Sequence, residues 1–228
     1  MAEGGSGRGQ DMNPFESLYN MKVGVVDLST ASTAVVSLDG ELIEKYLGGA
    51  AVNAIIIAEH QEDPLVLGTG PLTGSFAPAS PLMVASFTPP VLKRICHVPF
   101  MLRTGPDMKF SGVDYLVIKG TATEQCLLHV NHGKIQILSA ANIHRLPIPD
   151  AMRELRKTSP FFRSAIITGP AADRGIPFAS VSIGTSGSLD KAGLASFLAA
   201  KNLKGILFGG VGGLPFGSMN PVQGKELE

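Results

Sequence analysis

The alternation of apolar and polar positions changes period several times along the chain, and each change marks an element. Residues 22–28 (KVGVVDL) and 34–38 are rich in β-branched side chains and flank a polar stretch at 29–33, which predicts a hairpin. Leu42, Ile43, Tyr46 and Leu47 then recur at helical spacing until Gly48-Gly49 stops the helix. Residues 51–60 predict a second helix, apolar on nearly every face and therefore sandwiched between other elements. Strands are predicted at 65–67 and 82–87, the second ended by Pro89-Pro90. The second half echoes this order. Strands at 115–119 and 126–130 precede a His132-Gly133 turn into a strand at 134–138. A helix over 149–158 carries Pro149 at an early position, where its missing N–H costs little. Strands at 165–168 and 178–183 follow, then a helix from an Asp190 cap to Ala200 with Leu194, Phe197 and Leu198 as its apolar stripe. A strand at 205–208 is the last. Strand groups separated by helices, twice over, imply an α+β domain built from two related halves.

Composition sharpens this picture. With 228 residues and 44% apolar content, the chain can bury a substantial single core. Nineteen basic and nineteen acidic residues cancel, so no field exists to attract nucleic acid or an anionic membrane surface. So little charge on so apolar a chain implies that a partner covers part of its surface. The most apolar run, residues 50–58, is far shorter than the roughly 20 residues of a membrane helix. The glycine-rich start has no apolar signal region, so the expected location is cytoplasmic. The expected organisation is a flexible extension over 1–20, a domain over 21–210 and an exposed tail over 211–228. Cys96 and Cys126 permit a disulfide without requiring one, and a reducing compartment is the default.

Three glycine-rich segments follow strands: Gly68-Thr69-Gly70, Thr168-Gly169-Pro170 and the run from Gly209 to Gly213. Exposed N–H groups there can receive a phosphate, although turn geometry alone accounts for the glycines. After the run from Gly209 to Gly213 neither a Lys-Ser/Thr pair nor a helical pattern follows, which argues against a P-loop there. His129, His132 and His144 lack zinc-ligand spacing and are expected to be exposed or internally bonded. His97 and Cys96 are neighbours on a strand and so face opposite sides. Ser186 lacks the spacing of a nucleophile elbow.

Two runs carry a resemblance: DPLVLGTGPLTGSFAP at 63–78 and GPDMKFSGVDYLVIKG at 105–120. They resemble the N-terminal domain of the tungsten-dependent aldehyde:ferredoxin oxidoreductases, and the similarity extends from about Lys22 to about Gly210. The resemblance implies a duplicated α+β domain of mainly antiparallel sheet with packed helices. In that family the domain is the platform for two pterins and a tungsten ion. Ser80, Gly105 and Gly187 are the positions it carries over as cofactor-binding; it carries over no catalytic residue and no metal ligand. Several expected groups are replaced. Leu82 stands where the family has the arginine of PTSGR, and no aliphatic side chain can fork N–H groups toward a phosphate. Met101-Leu102 replace a glycine pair, and Ala50-Ala51 follow Gly48-Gly49 where the family reads GGRG. Residues 184–205 keep AAKNLKG but lose the first arginine and most glycines of that loop. The family's later domains supply four cysteines to an iron–sulfur cluster, and two cysteines cannot hold one. The expectation is an accessory or non-catalytic subunit acting through protein contacts, as a homodimer or on a larger oxidoreductase subunit. The alternative is the tungstopterin-binding part of a split aldehyde oxidoreductase. A third reading is a glycine-loop module for an unrelated phosphorylated ligand. Whether pterin or metal is bound stays open at this level.

Overall fold

A computed structural model describes residues 18–60, 63–75, 77–189 and 192–210. The chain opens with the expected hairpin: β1 (Lys22–Asp27) pairs antiparallel with β2 (Ser32–Ser37). Helix α1 (Gly40–Tyr46) is capped by Asp39, whose carboxylate accepts from the Glu41 N–H, and α2 (Ala50–Glu59) follows. Next come β3 (Leu65–Thr69), β4 (Met83–Phe87), β5 (Cys96–Phe100), α3 (Thr104–Phe110) and β6 (Tyr115–Lys119). The second half contains β7 (Cys126–Asn131), β8 (Lys134–Ser139), α4 (Ile148–Thr158), β9 (Ser164–Thr168) and α5 (Pro170–Asp173). It closes with β10 (Val181–Ile183), β11 (Gly187–Leu189), α6 (Leu194–Ala200) and β12 (Leu203–Phe208).

The two halves have the same topology. One sheet runs β2-β1-β6-β3-β4-β5 and the other, read from its opposite edge, β8-β7-β12-β9-β10-β11. In each, a hairpin strand pairs parallel with the last strand of its half (β1 with β6, β7 with β12), and every other pairing is antiparallel. Duplication thus holds strand for strand. It reaches the sequence at one point: β3 and β9 both end in Thr-Gly-Pro, and Thr69 and Thr168 both donate their hydroxyl to a carbonyl at the start of the neighbouring strand, of Asp114 and Lys204.

Period-2 alternation places the layers. Leu65, Leu67, Leu116 and Ile118 of the first sheet join Leu128, Val130, Ile166 and Ile206 of the second in one shared core. The intervening Val66, Tyr115 and Val117 face outward under α1 and α2. Leu127, Ile167 and Leu207 do the same under α4, whose Ala151, Met152 and Leu155 form its buried stripe. The sheets therefore pack face to face, each with a helical layer outside. Helix α6 seals the shared core: the Phe197 and Phe87 rings lie 4.8 Å apart.

Several expectations are corrected. Helix α2 is not sandwiched; it buries Val52, Asn53, Ile56 and Ile57 and leaves Ala51 and Ala58 exposed. Residues 96–100, where no strand is expected, form β5, and β4 is buried apart from the half-buried Val84. The strand expected at 178–183 begins only at Val181, and Phe178 is exposed. Helix α6 starts after Gly193, which sits in the left-handed region, while Asp190 lies outside the described residues. Cys96 and Cys126 are both free thiols. Of the expected 1–20 extension, residues 18–20 are described: Tyr19 is buried and Asn20 is bonded to Asp114. The remainder, and the expected tail at 211–228, lie outside the described residues. No helix among the described residues is long and apolar enough to cross a membrane.

Candidate functional site

The Gly48-Gly49 turn, Gly70 and the segment of α3 converge at the end of β3, where a dense polar cluster forms. Gly49 follows α1, and its N–H donates to the Thr69 carbonyl and to the Tyr115 hydroxyl at 3.1 Å. Tyr115 in turn donates to the Thr69 carbonyl at 3.0 Å, and Tyr19 donates to the Leu47 carbonyl. Burial pushes both phenols well above their ordinary range, so they remain neutral donors. Lys109 enters from α3 fully buried. Its Nζ donates to the carbonyls of Leu18 and Gly70 at 2.8 Å each and lies 4.4 Å from the centre of the Tyr19 ring. Burial brings its amine down to about 8, opposed by the charge of Asp114. Asp114 is also buried, and burial raises its carboxyl above the usual range. Lys109 opposes that shift, and so do the N–H groups of Asn20 and Lys22. This cluster ties the amino-terminal segment, the first glycine loop and α3 into one rigid corner. Its donors and acceptors are spent on the chain itself.

The three positions carried over as cofactor-binding lie apart in function. Ser80 donates its hydroxyl to the Ser75 carbonyl at 2.9 Å, while its own carbonyl accepts from the Gly74 N–H, so it closes a local turn. Gly105 opens α3 against that same segment. A Cβ there would stand 2.8 Å from the Pro81 carbonyl oxygen and 2.9 Å from Thr73 Cγ2, so the absent side chain serves internal packing. Gly187 begins β11, and a Cβ there would meet nothing within 4 Å. Ser80 and Gly105 thus belong to one corner, through Pro81 and Leu82, and Gly187 lies on the other sheet.

The replaced positions gather beside that corner. Leu82 and Met101 lie one residue beyond Met83 and Phe100, the pair that ends the β4–β5 ladder. Leu82, Met101 and Leu102 are 42%, 58% and 45% exposed, which leaves apolar side chains in water at one end of the first sheet. A tungstopterin would need donors for its phosphates there. Ser80 is spent on its turn, Gly105 is closed by protein atoms, and the arginine position holds Leu82. The residues at these positions do not fit the group.

Histidine behaves as expected of internally bonded residues. His129 is buried with Nε2 3.0 Å from the Phe161 carbonyl, and exposed His144 has Nδ1 2.9 Å from Gln125 Oε1. His97 meets Ser86 at 2.8 Å, but Ser86 is fully buried beneath Asn53, so the pair holds strands and presents no nucleophile. The Lys109–Asp114 cluster had a signal in the sequence, since both residues lie inside the run at 105–120. Asp107 had the same signal; its carboxylate is fully buried and meets Arg103 and Arg163. Arg163 had none, because only the folded halves bring it to α3.

A duplicated α+β platform with glycine loops at its strand ends defines a class of domain, and the comparisons place the chain within it. The model of the family described as aldehyde ferredoxin oxidoreductase, N-terminal domain, matches residues 23–210, and the chain belongs to that family. It is 25% identical over 191 residues to a tungsten-containing aldehyde ferredoxin oxidoreductase of Pyrococcus furiosus, covering 79% of this chain and 32% of that protein. It is 23% identical over 222 residues to the WOR-like subunit of an aliphatic sulfonate oxidoreductase of the same organism, covering 86% of this chain and 35% of that one. In fold it is similar to a chain of the active site complex BamBC of benzoyl coenzyme A reductase. The TM-score there is 0.77 at 24% identity, covering 86% of this chain and 32% of that chain. The chain thus spans about a third of the length of the relatives it matches.

Proposed function

We propose that this domain, over residues 21–210, is a non-catalytic subunit of a cytoplasmic oxidoreductase assembly and acts through protein contacts. The observation that supports this most directly is the replacement of cofactor-gripping positions by apolar side chains that stand in water. Leu82, Met101 and Leu102 cannot hold a phosphate, yet they can pack against a protein surface. Two of the similar proteins are named as a subunit and as part of a complex, which agrees with an assembly. The expected partner is a larger oxidoreductase subunit or a second copy of the chain, burying on the order of 1,000 Å² or more.

Elemental analysis tests the reading at the cofactor. The purified chain is expected to carry neither tungsten nor molybdenum in stoichiometric amount and to release no fluorescent pterin in acid. A second reading keeps the domain as one wall of a tungstopterin site completed by another chain. The complete cluster of Tyr19, Lys109, Asp114 and Tyr115 favours it, since that corner keeps a rigid platform. Tungsten in a complex purified from the native host, absent from the isolated chain, would select this second reading. Tungsten in the isolated chain would overturn the first.

A further inference from the structure

Four strands end the two sheets: β2 and β5 in the first, β8 and β11 in the second. An edge strand presents unpaired N–H and C=O groups, and proteins blunt such edges with proline, charge, shortness or a bulge. Strand β5 contains Pro99, β11 has three residues, and β8 begins with Lys134. Strand β2 has none of these devices. It reads Ser-Thr-Ala-Val-Val-Ser, all six residues are exposed, and its register with β1 runs unbroken over six pairs. Among the described residues no strand pairs with its outer edge. We propose that this edge pairs antiparallel with β2 of a second copy of the chain, joining the two first sheets across a two-fold axis.

The two faces of β2 fit such a copy. Val36 and Ala34 stand opposite Val23 and Val25 of β1 and so share the outer face with them. There a groove of about 180 Å³ runs between the hairpin and helices α1 and α2, with Val23, Val25, Val36, Leu42 and Ile56 in its walls. Thr33 and Val35 face the other way, and the Thr33 hydroxyl donates to the Ile135 carbonyl of β8. A two-fold axis normal to the sheet keeps each residue on its own face, so only positions of equal parity can stand opposite each other. An axis at Val35 satisfies this: Val35 meets Val35, Ala34 meets Val36 and Thr33 meets Ser37. Two Ala34–Val36 pairs then carry the apolar outer face across the axis beside each groove, where β-branched side chains pack well. Charge selects this occupant. An uncharged strand sets no like charges opposite each other on self-pairing, and the chain has no net charge to oppose contact. An acidic or basic segment would find no counter-charge on β2.

The pairing does not rest on the cofactor reading, which metal content tests, and it leaves the end at Leu82, Met101 and Leu102 to a larger subunit. Sedimentation equilibrium of the full chain at micromolar concentration should show a monomer–dimer equilibrium. Val35→Lys and Val35→Glu each set like charges face to face at the axis. The side chain is 37% exposed, so each variant should fold, as circular dichroism checks, and associate at least about tenfold more weakly. An equimolar mixture of the two should regain association, because lysine then faces glutamate. Val91→Lys, on the exposed turn after β4, should associate as the parent does. The parent alone supplies a second measurement: exchange of the β2 amides should slow as its concentration rises through the dimer range. A chain that stays monomeric would overturn the proposal. So would a dimer that both Val35 substitutions leave unchanged, or a mixture that regains nothing. Amides of β2 protected equally at every concentration would show that the chain covers its own edge, which also overturns it.

Discussion

Lys109 shows how much one residue can organise here. A buried ammonium is expensive, and the chain meets that cost with two close carbonyls, a more distant third from Pro71 and an aromatic face. Lys109→Met keeps most of the stem and orphans the carbonyls. It should cost about 2–4 kcal/mol in urea unfolding near neutral pH. The pH dependence has a definite sign. Burial lowers the amine to about 8, so between about pH 8 and 10.5 the unfolded chain holds a proton that the folded chain has released. Stability of the parent relative to Lys109→Met should therefore rise with pH across that window and be flat below it. A fall would show that the ammonium is favoured inside the fold. Glycine separates packing from ligand approach in the same direct way. Gly105→Ala drives a methyl into Pro81 and Thr73 and should cost about 1–3 kcal/mol, whereas Gly187→Ala enters open space and should stay within about 0.5 kcal/mol.

At the scale of elements, the duplicated strands carry different chemistry at matching places. Strand β6 follows the buried Asp114, while β12 contains the buried Lys204, which is paired with Asp173 at the end of α5. Asp173 also accepts from the Gln125 amide and the Arg145 N–H, so both oxygens of its carboxylate are bonded. Asp173→Ala leaves Lys204 buried without its counter-charge and should cost about 3–5 kcal/mol by thermal or urea unfolding. The hairpins and helices α1, α2, α4 and α6 were legible from apolar spacing because each buries one apolar face. Helix α3 was not: seven residues containing glycine and proline bury Thr104, Asp107 and Lys109, so polarity misleads about which face is inside. Strand β5 was missed because its Cys96, His97 and Pro99 belong to a half-exposed edge. Ile56 is on the buried face of α2 at 8% exposure, so Ile56→Lys should unfold the domain rather than loosen an interface.

Among the described residues the core between the sheets takes side chains from both halves, so the halves are expected to unfold together. Urea unfolding should show a single transition by fluorescence and circular dichroism alike. The chain's association with a larger subunit should depend on the end of the first sheet. Met101→Glu with Leu102→Glu changes two exposed side chains, so the fold should persist while partner capture weakens by about tenfold or more. Co-purification from the native host reads this.

The sequence by itself determined the α+β class, the order of most elements, the family and the apolar replacements at Leu82, Met101 and Leu102. All of these are carried by local spacing or by runs of adjacent residues, and short-range periodicity reports directly on which side of a strand or helix is buried. Only the tertiary structure decided that the two halves share one core and that α2 has an exposed face. It also decided that Gly105 serves packing and that Arg103 and Arg163, from different halves, both reach Asp107. Those facts depend on contacts between residues far apart in the chain, and no local pattern encodes a distance that arises only when two sheets close on each other.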